Sequence, residues 1–246
     1  MTIKEFGTEN KETVILLHGG GLSWWNYLDE IELLKNQFQV IVPILDGHSK
    51  SDHDFTSIED NAVRIINYID DHFNGKVKMI GGLSLGGQIL LEILAQRSDI
   101  CNYAIIESAL AIPMPITHIL IEPSMKLSYG LIQKKWFSKL QFTSLKIRDN
   151  LFDNYYNDTR KITRENYIAF LKGNSAYCVS HNLSACQAKV LIIVGSKERP
   201  IMKKSARIIG DLIPNSVLVT LEGYFHGDLS INHAEEYVER MVSLMK

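Results

Sequence analysis

The chain has 246 residues, of which 46% are hydrophobic and 22% are charged, and its formal net charge is −2. That length suits one large α/β sheet with a sizeable core, and the near-zero charge predicts neither a nucleic-acid nor a membrane partner. The first residues lack the apolar stretch of a signal peptide, and no apolar run reaches membrane-spanning length, so we expect a cytoplasmic protein.

Apolar runs alternate with helical patterns along the chain, which predicts a mostly parallel sheet with helices on both faces. The N-terminal part has a predicted strand at 14–17, a helix near 27–36, a strand at 39–45 and a helix capped by Ser57. The middle has a strand at 77–81, a helix at 88–96 and a strand that ends at Glu107. The C-terminal part has strands at 190–195 and 217–221, a helix near 202–213 and a last helix that begins at Asn232.

The most informative motif is Gly82-Leu83-Ser84-Leu85-Gly86, which joins a predicted strand to a predicted helix. A serine between two glycines at such a turn is the pattern of a nucleophile elbow, in which a strained backbone lifts the serine hydroxyl clear of the sheet. Small residues on both sides of the serine let the strand and the helix approach closely. The Leu85 N–H lies at the positive end of the helix, where it would stabilise an oxyanion.

Three further segments follow predicted strands in a recognisable order. They are His18-Gly19-Gly20-Gly21 after the first strand, Ser196-Lys197-Glu198 after the strand at 190–195, and Glu222-Gly223-Tyr224-Phe225-His226 after the strand at 217–221. With the elbow, these segments resemble the α/β-hydrolase superfamily, and among its members the small capped serine esterases, lactonases and thioesterases.

The resemblance implies a role for each matching residue. Ser84 would be the nucleophile, His226 the general base, and Glu198 the acid that orients the imidazole. The backbone N–H groups of Gly20 and Leu85 would form the oxyanion hole.

Several other residues near the matching segments could be either functional or structural. Glu107 is a second candidate for the triad acid, because some members of the superfamily place the acid at the end of that strand. Asp228 is interpreted as a solvated or helix-capping carboxylate, and His233 as an exposed side chain. His48 lies in Asp46-Gly47-His48-Ser49, which is similar to a structural turn of the superfamily, and is interpreted as structural. Trp24 and Trp25 either bind the substrate or cover the sheet as core residues.

The segment 113–186 is rich in aromatic and basic residues and carries helical signals such as the N-cap Thr163. By the resemblance it is a helical cap, inserted after the sixth strand into a core domain made of 1–112 and 187–246. Its aromatic side chains either line a substrate pocket or form the small core of the cap itself.

The sequence therefore predicts a serine hydrolase that cleaves a small carboxylic ester, lactone or thioester through an acyl-enzyme intermediate. The alternatives are a C–C bond hydrolase, a non-hydrolytic member of the fold, or a ligand-binding signalling protein with slow turnover. The only expected partner is the small acyl substrate, and the protein would be a monomer or a homodimer. We expect no cofactor or metal, since the three cysteines lack Cys-x-x-Cys spacing and indicate neither a zinc site nor a disulfide framework.

Overall fold

The computed structural model describes all 246 residues, which form one seven-stranded sheet and ten α-helices. The strands are β1 (Ile3–Phe6), β2 (Thr13–Leu17), β3 (Gln39–Pro43), β4 (Val77–Leu83), β5 (Cys101–Glu107), β6 (Lys189–Gly195) and β7 (Ser216–Leu221). The helices are α1 (Leu28–Leu34), α2 (Ile58–Phe73), α3 (Leu85–Gln96), α4 (Pro115–Ile132), α5 (Lys135–Ser144), α6 (Phe152–Thr159), α7 (Arg164–Ala176), α8 (Pro200–Leu212), α9 (Asp228–Asn232) and α10 (Ala234–Met245).

The sheet has the order β1-β3-β2-β4-β5-β6-β7, and every neighbouring pair is parallel except the edge pair β1 and β3. This confirms the predicted mostly parallel sheet. From β2 the chain moves outward to β3 and then returns to the other side of β2 to form β4. The loops after β2 and β4 therefore leave the sheet in opposite directions, which opens a crevice at the carboxyl ends of these two strands.

The strands β2 to β6 are largely buried on both faces, which explains why they are apolar runs instead of alternating patterns. Side chains of β2 alternate between the two faces: Ile15 and Leu17 pack into the core under α2 and α3, whereas Val14 and Leu16 pack into the core under α1 and α10. These two cores hold the strands in register, and they fix the loops at the carboxyl edge of the sheet.

Two predicted helix starts are confirmed by capping hydrogen bonds. The Ser57 hydroxyl accepts a bond from the Asp60 N–H at the start of α2, and the Thr163 hydroxyl accepts one from the Asn166 N–H at the start of α7. The last helix begins at Ala234 instead of Asn232, because the short helix α9 precedes it.

The segment between β5 and β6 contains the four helices α4 to α7, in which α4 packs on α7 and α5 on α6. The sequence predicts that this segment follows the sixth strand, but in the structure it follows β5, the fifth strand. Only one strand, β1, precedes β2, the strand that leads to the Gly20 loop. Polar contacts join the segment to the rest of the molecule: the Asn166 side chain accepts a bond from the Phe55 N–H, and the Gln88 side chain bonds to Asn174. None of the ten helices combines the length and the apolar character needed to cross a membrane.

Candidate active site

Ser84 sits at the turn from β4 to α3 in a strained conformation, with φ 53° and ψ −110°. The strain is held by close packing at the flanking glycines. A Cβ at Gly82 would lie 2.5 Å from the Gly86 carbonyl oxygen, and a Cβ at Gly86 would lie 2.2 Å from the Leu17 carbonyl oxygen. Only glycine fits at these two positions, so the motif gives the strand-to-helix turn its tight geometry.

The structure brings Ser84, His226 and Glu198 together at the carboxyl edge of the sheet. His226 Nε2 lies 3.0 Å from Ser84 Oγ, and His226 Nδ1 lies 2.8 Å from Glu198 Oε2. Glu198 is buried, and its carboxylate is placed to accept a bond from the Nδ1–H group. In the tautomer that carries its proton on Nδ1, the Nε2 atom can accept the serine proton.

The second oxygen of the Glu198 carboxylate is also satisfied. Glu198 Oε1 accepts bonds from the Gly195 N–H and from the Ser108 hydroxyl, both at 2.8 Å. The Ser108 hydroxyl in turn accepts a bond of 3.2 Å from the N–H of Gly227, the residue after His226. Ser108 therefore links the strand that ends at Glu107, the acid and the histidine loop. The sequence alone does not identify Ser108, because no local motif marks it.

Glu107, the second candidate for the acid, points elsewhere. Its carboxylate accepts bonds from the backbone N–H groups of Leu229 and Ser230 in α9, and it forms no hydrogen bond with His226. Burial raises the pKa of Glu107 to about 7. The geometry thus gives the imidazole contact to Glu198 and makes Glu107 an anchor for the helix after the histidine.

Gly20 and Leu85, whose N–H groups are predicted for the oxyanion hole, lie side by side. A Cβ at Gly20 would touch the Leu85 side chain at 3.5 Å and the Phe170 ring at 3.6 Å. Leu85 is the first residue of α3, so its N–H has no partner within that helix. The Gly20 N–H forms no hydrogen bond with another backbone group.

His48 holds the loop that carries Gly20. Its Nε2 accepts a bond of 2.9 Å from the Gly21 N–H, and its Nδ1 lies 3.1 Å from the Asp46 carbonyl oxygen, to which it donates. The ring also stacks on Phe170 of α7, with 4.8 Å between centroids. Burial lowers the pKa of His48 to about 4, so its ring is neutral near pH 7 and can accept the Gly21 bond.

His18 lies against His48 and is deeply buried as well. The two rings meet edge to face with 4.9 Å between centroids, and His18 Nε2 accepts a bond from the Leu45 N–H. Burial, followed by the neighbouring His48, lowers the pKa of His18 to about 3. The two histidines therefore act as neutral hydrogen-bonding groups that join the loops after β2 and β3.

A cavity of about 240 Å³ opens beside the Gly20 loop, between the sheet and the inserted helices. Its walls are mainly apolar and aromatic and contain no charged side chain: Gly20, Gly21, Met125, Ile132, Gln141, Leu145, Tyr155, Thr159, Tyr167, Phe170 and Leu171. A larger cleft, of about 540 Å³, is lined mostly by charged residues of α1 and α10. Neither cavity is lined by Ser84, Glu198 or His226, but only the smaller one includes Gly20, the predicted oxyanion residue. The apolar cavity is therefore the candidate substrate pocket.

Neither tryptophan predicted to bind substrate lines this cavity. Trp25 is buried in the core and donates a bond of 2.9 Å from Nε1 to Asp158 of α6, and Trp24 stacks on Phe6. The arrangement therefore supports the alternative interpretation, in which both indoles cover the sheet. Three aromatic residues of the inserted helices, Tyr155, Tyr167 and Phe170, do line the pocket, and Asp158 joins these helices to the rest of the chain.

Asp228 and His233 have contacts that fit the non-catalytic interpretations given to them from the sequence. Asp228 accepts bonds from the Phe225 N–H and the Asn232 side chain at the start of α9, and His233 stacks on Tyr224. Neither contacts Ser84 or Glu198. No group of three or more His, Cys, Asp or Glu side chains is arranged to hold a metal ion.

Comparison with known proteins assigns the family. No curated protein matches the chain. An esterase from Exiguobacterium antarcticum superposes with a TM-score of 0.83 at 17% identity, covering 99% of this chain and 94% of that one. An enol-lactonase from Burkholderia xenovorans LB400 gives 0.82 at 14%, covering 99% and 95%. A thermophilic esterase from Thermogutta terrifontis gives 0.79 at 18%, covering 100% and 94%. The family model of the alpha/beta hydrolase fold matches residues 12–146, more than half of the chain, which therefore belongs to the α/β-hydrolase family.

Proposed function

We propose that this protein is a serine hydrolase that cleaves a small carboxylic ester, lactone or thioester through an acyl-enzyme intermediate. The observation that carries the proposal is the continuous chain of hydrogen bonds from Ser84 Oγ through the His226 imidazole to the buried Glu198 carboxylate. A serine hydroxyl is a weak nucleophile near pH 7, and a neutral imidazole at 3.0 Å is placed to remove its proton during attack.

Each group has one task in the proposed reaction. His226 takes the serine proton as Ser84 attacks the carbonyl carbon, and it then donates that proton to the leaving alcohol or thiol. Glu198 fixes the Nδ1–H tautomer and stabilises the imidazolium that forms. The Gly20 and Leu85 N–H groups would hold the oxyanion, where one such donor is typically worth about 3 kcal/mol. A water molecule then attacks the acyl-enzyme through the same proton transfers by His226, which releases the acid and restores Ser84.

The volume and the lining of the pocket fit an uncharged, apolar acyl group of medium length. Its volume of about 240 Å³ is about eight times the volume of one water molecule in the liquid, so it holds roughly eight methylene-sized groups. Because no lysine or arginine lines it, a substrate with a second carboxylate would be buried there without a partner. The pocket chemistry therefore favours simple acyl esters and thioesters over anionic substrates.

The first experiment tests the nucleophile. We expect a fluorophosphonate probe to label the wild-type protein at Ser84, and Ser84→Ala to lose the label together with roughly 10⁴ to 10⁶ of kcat on activated esters. A Ser84→Ala variant that is labelled at the wild-type rate would refute the assignment. A single slow burst of product without turnover would instead indicate the ligand-binding role.

A series of p-nitrophenyl esters tests the acyl group. Each methylene buried in the pocket adds about 0.8 kcal/mol of binding, so kcat/KM should rise about fourfold per carbon until the pocket is full. We expect the optimum at about six to eight carbons. An optimum at acetate, or a preference for esters of dicarboxylic acids, would contradict the proposed substrate class.

A further inference from the structure

Helix α4 is apolar on two opposite faces, although one of them is open to solvent. Its inner face contributes Met125 and Ile132 to the substrate pocket. Its outer face exposes Ile116, which is 76% accessible, and Leu127, which is 88% accessible. A helix on the surface of a globular protein normally has a single apolar stripe, and one that is apolar all round is covered on both sides. The outer face of α4 therefore lacks a partner within this molecule.

Helix α5 extends the exposed apolar surface. Trp136 and Leu140 lie one turn apart, and they are 64% and 63% accessible. The same helix contributes Gln141 to the wall of the pocket. We define the outer cap face by its exposed apolar side chains on the two helices: Ile116, Ile119, Leu120, Leu127, Leu131, Trp136 and Leu140.

The charge around this face differs in sign from the charge of the rest of the molecule. The segment 113–186 has ten Lys and Arg residues against five Asp and Glu, a net charge of +5, so the remaining residues carry −7. Within 132–148 there are five basic residues and no acidic one. Two of these basic residues, Lys134 and Lys146, form no ion pair. The overall charge of −2 conceals this separation.

We propose that the outer cap face docks on the surface of an anionic lipid membrane. Exposed Trp and Leu side chains framed by lysines match the interfacial region of such a membrane, where apolar groups enter the acyl boundary and the cations meet lipid phosphates. A second copy of this chain fits less well, because face-to-face contact would bring two positively charged segments together. The proposal departs from the expectation of no membrane partner, which rests on the net charge and on the lack of a membrane-spanning apolar run.

Docking would also place the substrate pocket next to the lipid. The helices α4 and α5 line the pocket with their inner residues, so an apolar ester dissolved in the membrane would be close to the cavity. This consequence rests on the proposed hydrolase function, whereas the docking itself does not. Vesicle binding is therefore the decisive measurement, and it is independent of turnover.

The test is co-flotation of the wild-type protein with vesicles of ether-linked lipids, which an esterase cannot cleave. We expect binding to vesicles that contain about one third phosphatidylglycerol, little binding to pure phosphatidylcholine, and release at about 0.5 M NaCl. Lys134→Gln with Lys146→Gln should weaken binding roughly 30-fold. Leu127→Ser with Trp136→Ser should weaken it about tenfold or more.

Matched controls lie outside the segment 113–186. Leu33 and Val217 are exposed apolar residues outside the cap, and Lys11 and Lys204 are lysines there without an ion pair. Leu33→Ser with Val217→Ser, and Lys11→Gln with Lys204→Gln, should leave binding unchanged. Equal binding to neutral and anionic vesicles, or equal loss in controls and cap variants, would overturn the proposal. The proposal would also be overturned if sedimentation showed that the wild-type protein is a dimer that binds no vesicles, and that Leu127→Ser with Trp136→Ser dissociates this dimer. Loss of esterase activity with intact vesicle binding would refute only the hydrolase function.

Discussion

Ser108 connects the acid and the base of the candidate triad, although its hydroxyl has no place in the proton transfer. It donates to Glu198 Oε1 and accepts from the Gly227 N–H, and its backbone has a positive φ of 53°. A residue other than glycine keeps such a conformation only where the surroundings enforce it. We infer that Ser108 positions both the carboxylate and the histidine loop.

Ser108→Ala removes the hydroxyl and keeps the Cβ, so the backbone strain stays. A lost hydrogen bond to a buried charge is worth about 1 to 3 kcal/mol, and kcat on an activated ester should fall roughly 10- to 100-fold with little change in KM. Ser108→Gly also lacks the hydroxyl but relieves the strain, and we expect a similar loss. Full activity in the glycine variant would show that strain, and not the hydrogen bonds, governs the site.

The two buried glutamates near His226 should respond differently to the same substitution. Glu198→Gln removes the carboxylate that fixes the imidazole tautomer, and kcat should fall by about 10⁴. Glu107→Gln keeps an oxygen that can accept from the Leu229 and Ser230 N–H groups, so its activity should change less than tenfold. Steady-state kinetics on one ester would compare the two variants, and the reverse ranking would move the acid to Glu107.

At the scale of elements, the inserted helices are fastened to the core by buried polar contacts. Asp158 of α6 accepts a bond from the Trp25 indole N–H and another from the Ser49 hydroxyl, at 2.9 and 3.0 Å. Both donors are buried and lie in the loops that follow β2 and β3. Asp158 thus ties α6 to the two loops that flank the candidate site.

Asp158→Ala should therefore destabilise the protein. Two buried donors would lose their partner, which costs about 2 to 4 kcal/mol and lowers the thermal midpoint by roughly 5 to 15 °C in a chain of this size. Asp153→Ala provides the control, because Asp153 is exposed on the same helix and forms only a long surface contact with Lys135. Equal thermal midpoints for the two variants would show that the bonds from Trp25 and Ser49 to Asp158 contribute nothing to stability.

The elements that the sequence predicts well are those with a local cause. Ser57 and Thr163 cap their helices through a bond to a backbone N–H three residues on, and such bonds need only neighbours in the chain. Strand β1 has no such signal. It is four residues long, contains Lys4 and Glu5, and is placed by antiparallel pairing with β3 at the edge of the sheet, a contact between segments distant in the chain.

The candidate site shows the same division. The Ser84 motif, the Glu198 segment and the His226 loop each follow a strand, so their sequence patterns and their order predict that they meet. The contacts of Ser108, His48 and Asp158 depend on which loops and helices come together in space, and the side chains alone do not reveal them. For the same reason the sequence left the roles of Trp24 and Trp25 open.

At the scale of the whole molecule, neutral histidines buried under the Gly20 loop couple stability to pH. The pKa of His48 is lowered to about 4 by burial, whereas an unfolded chain has the ordinary value of 6.5. Because the folded pKa is lower than the unfolded one, the unfolded state binds more protons between these two pH values. The stability contribution is fully present above about pH 6.5 and is lost as the pH falls towards 4.

His48→Gln should reduce the acid sensitivity of the fold, since the variant cannot take up this proton. Between pH 7 and 4, the wild-type protein should lose about 3 kcal/mol more of its free energy of unfolding than the variant does. Urea denaturation at a series of pH values would measure both curves. The exposed His181 supplies the control, because His181→Gln should leave the pH dependence as it is. Parallel curves for wild type and His48→Gln would mean that the pKa of His48 is the same in the folded and unfolded states, which would contradict the lowered value.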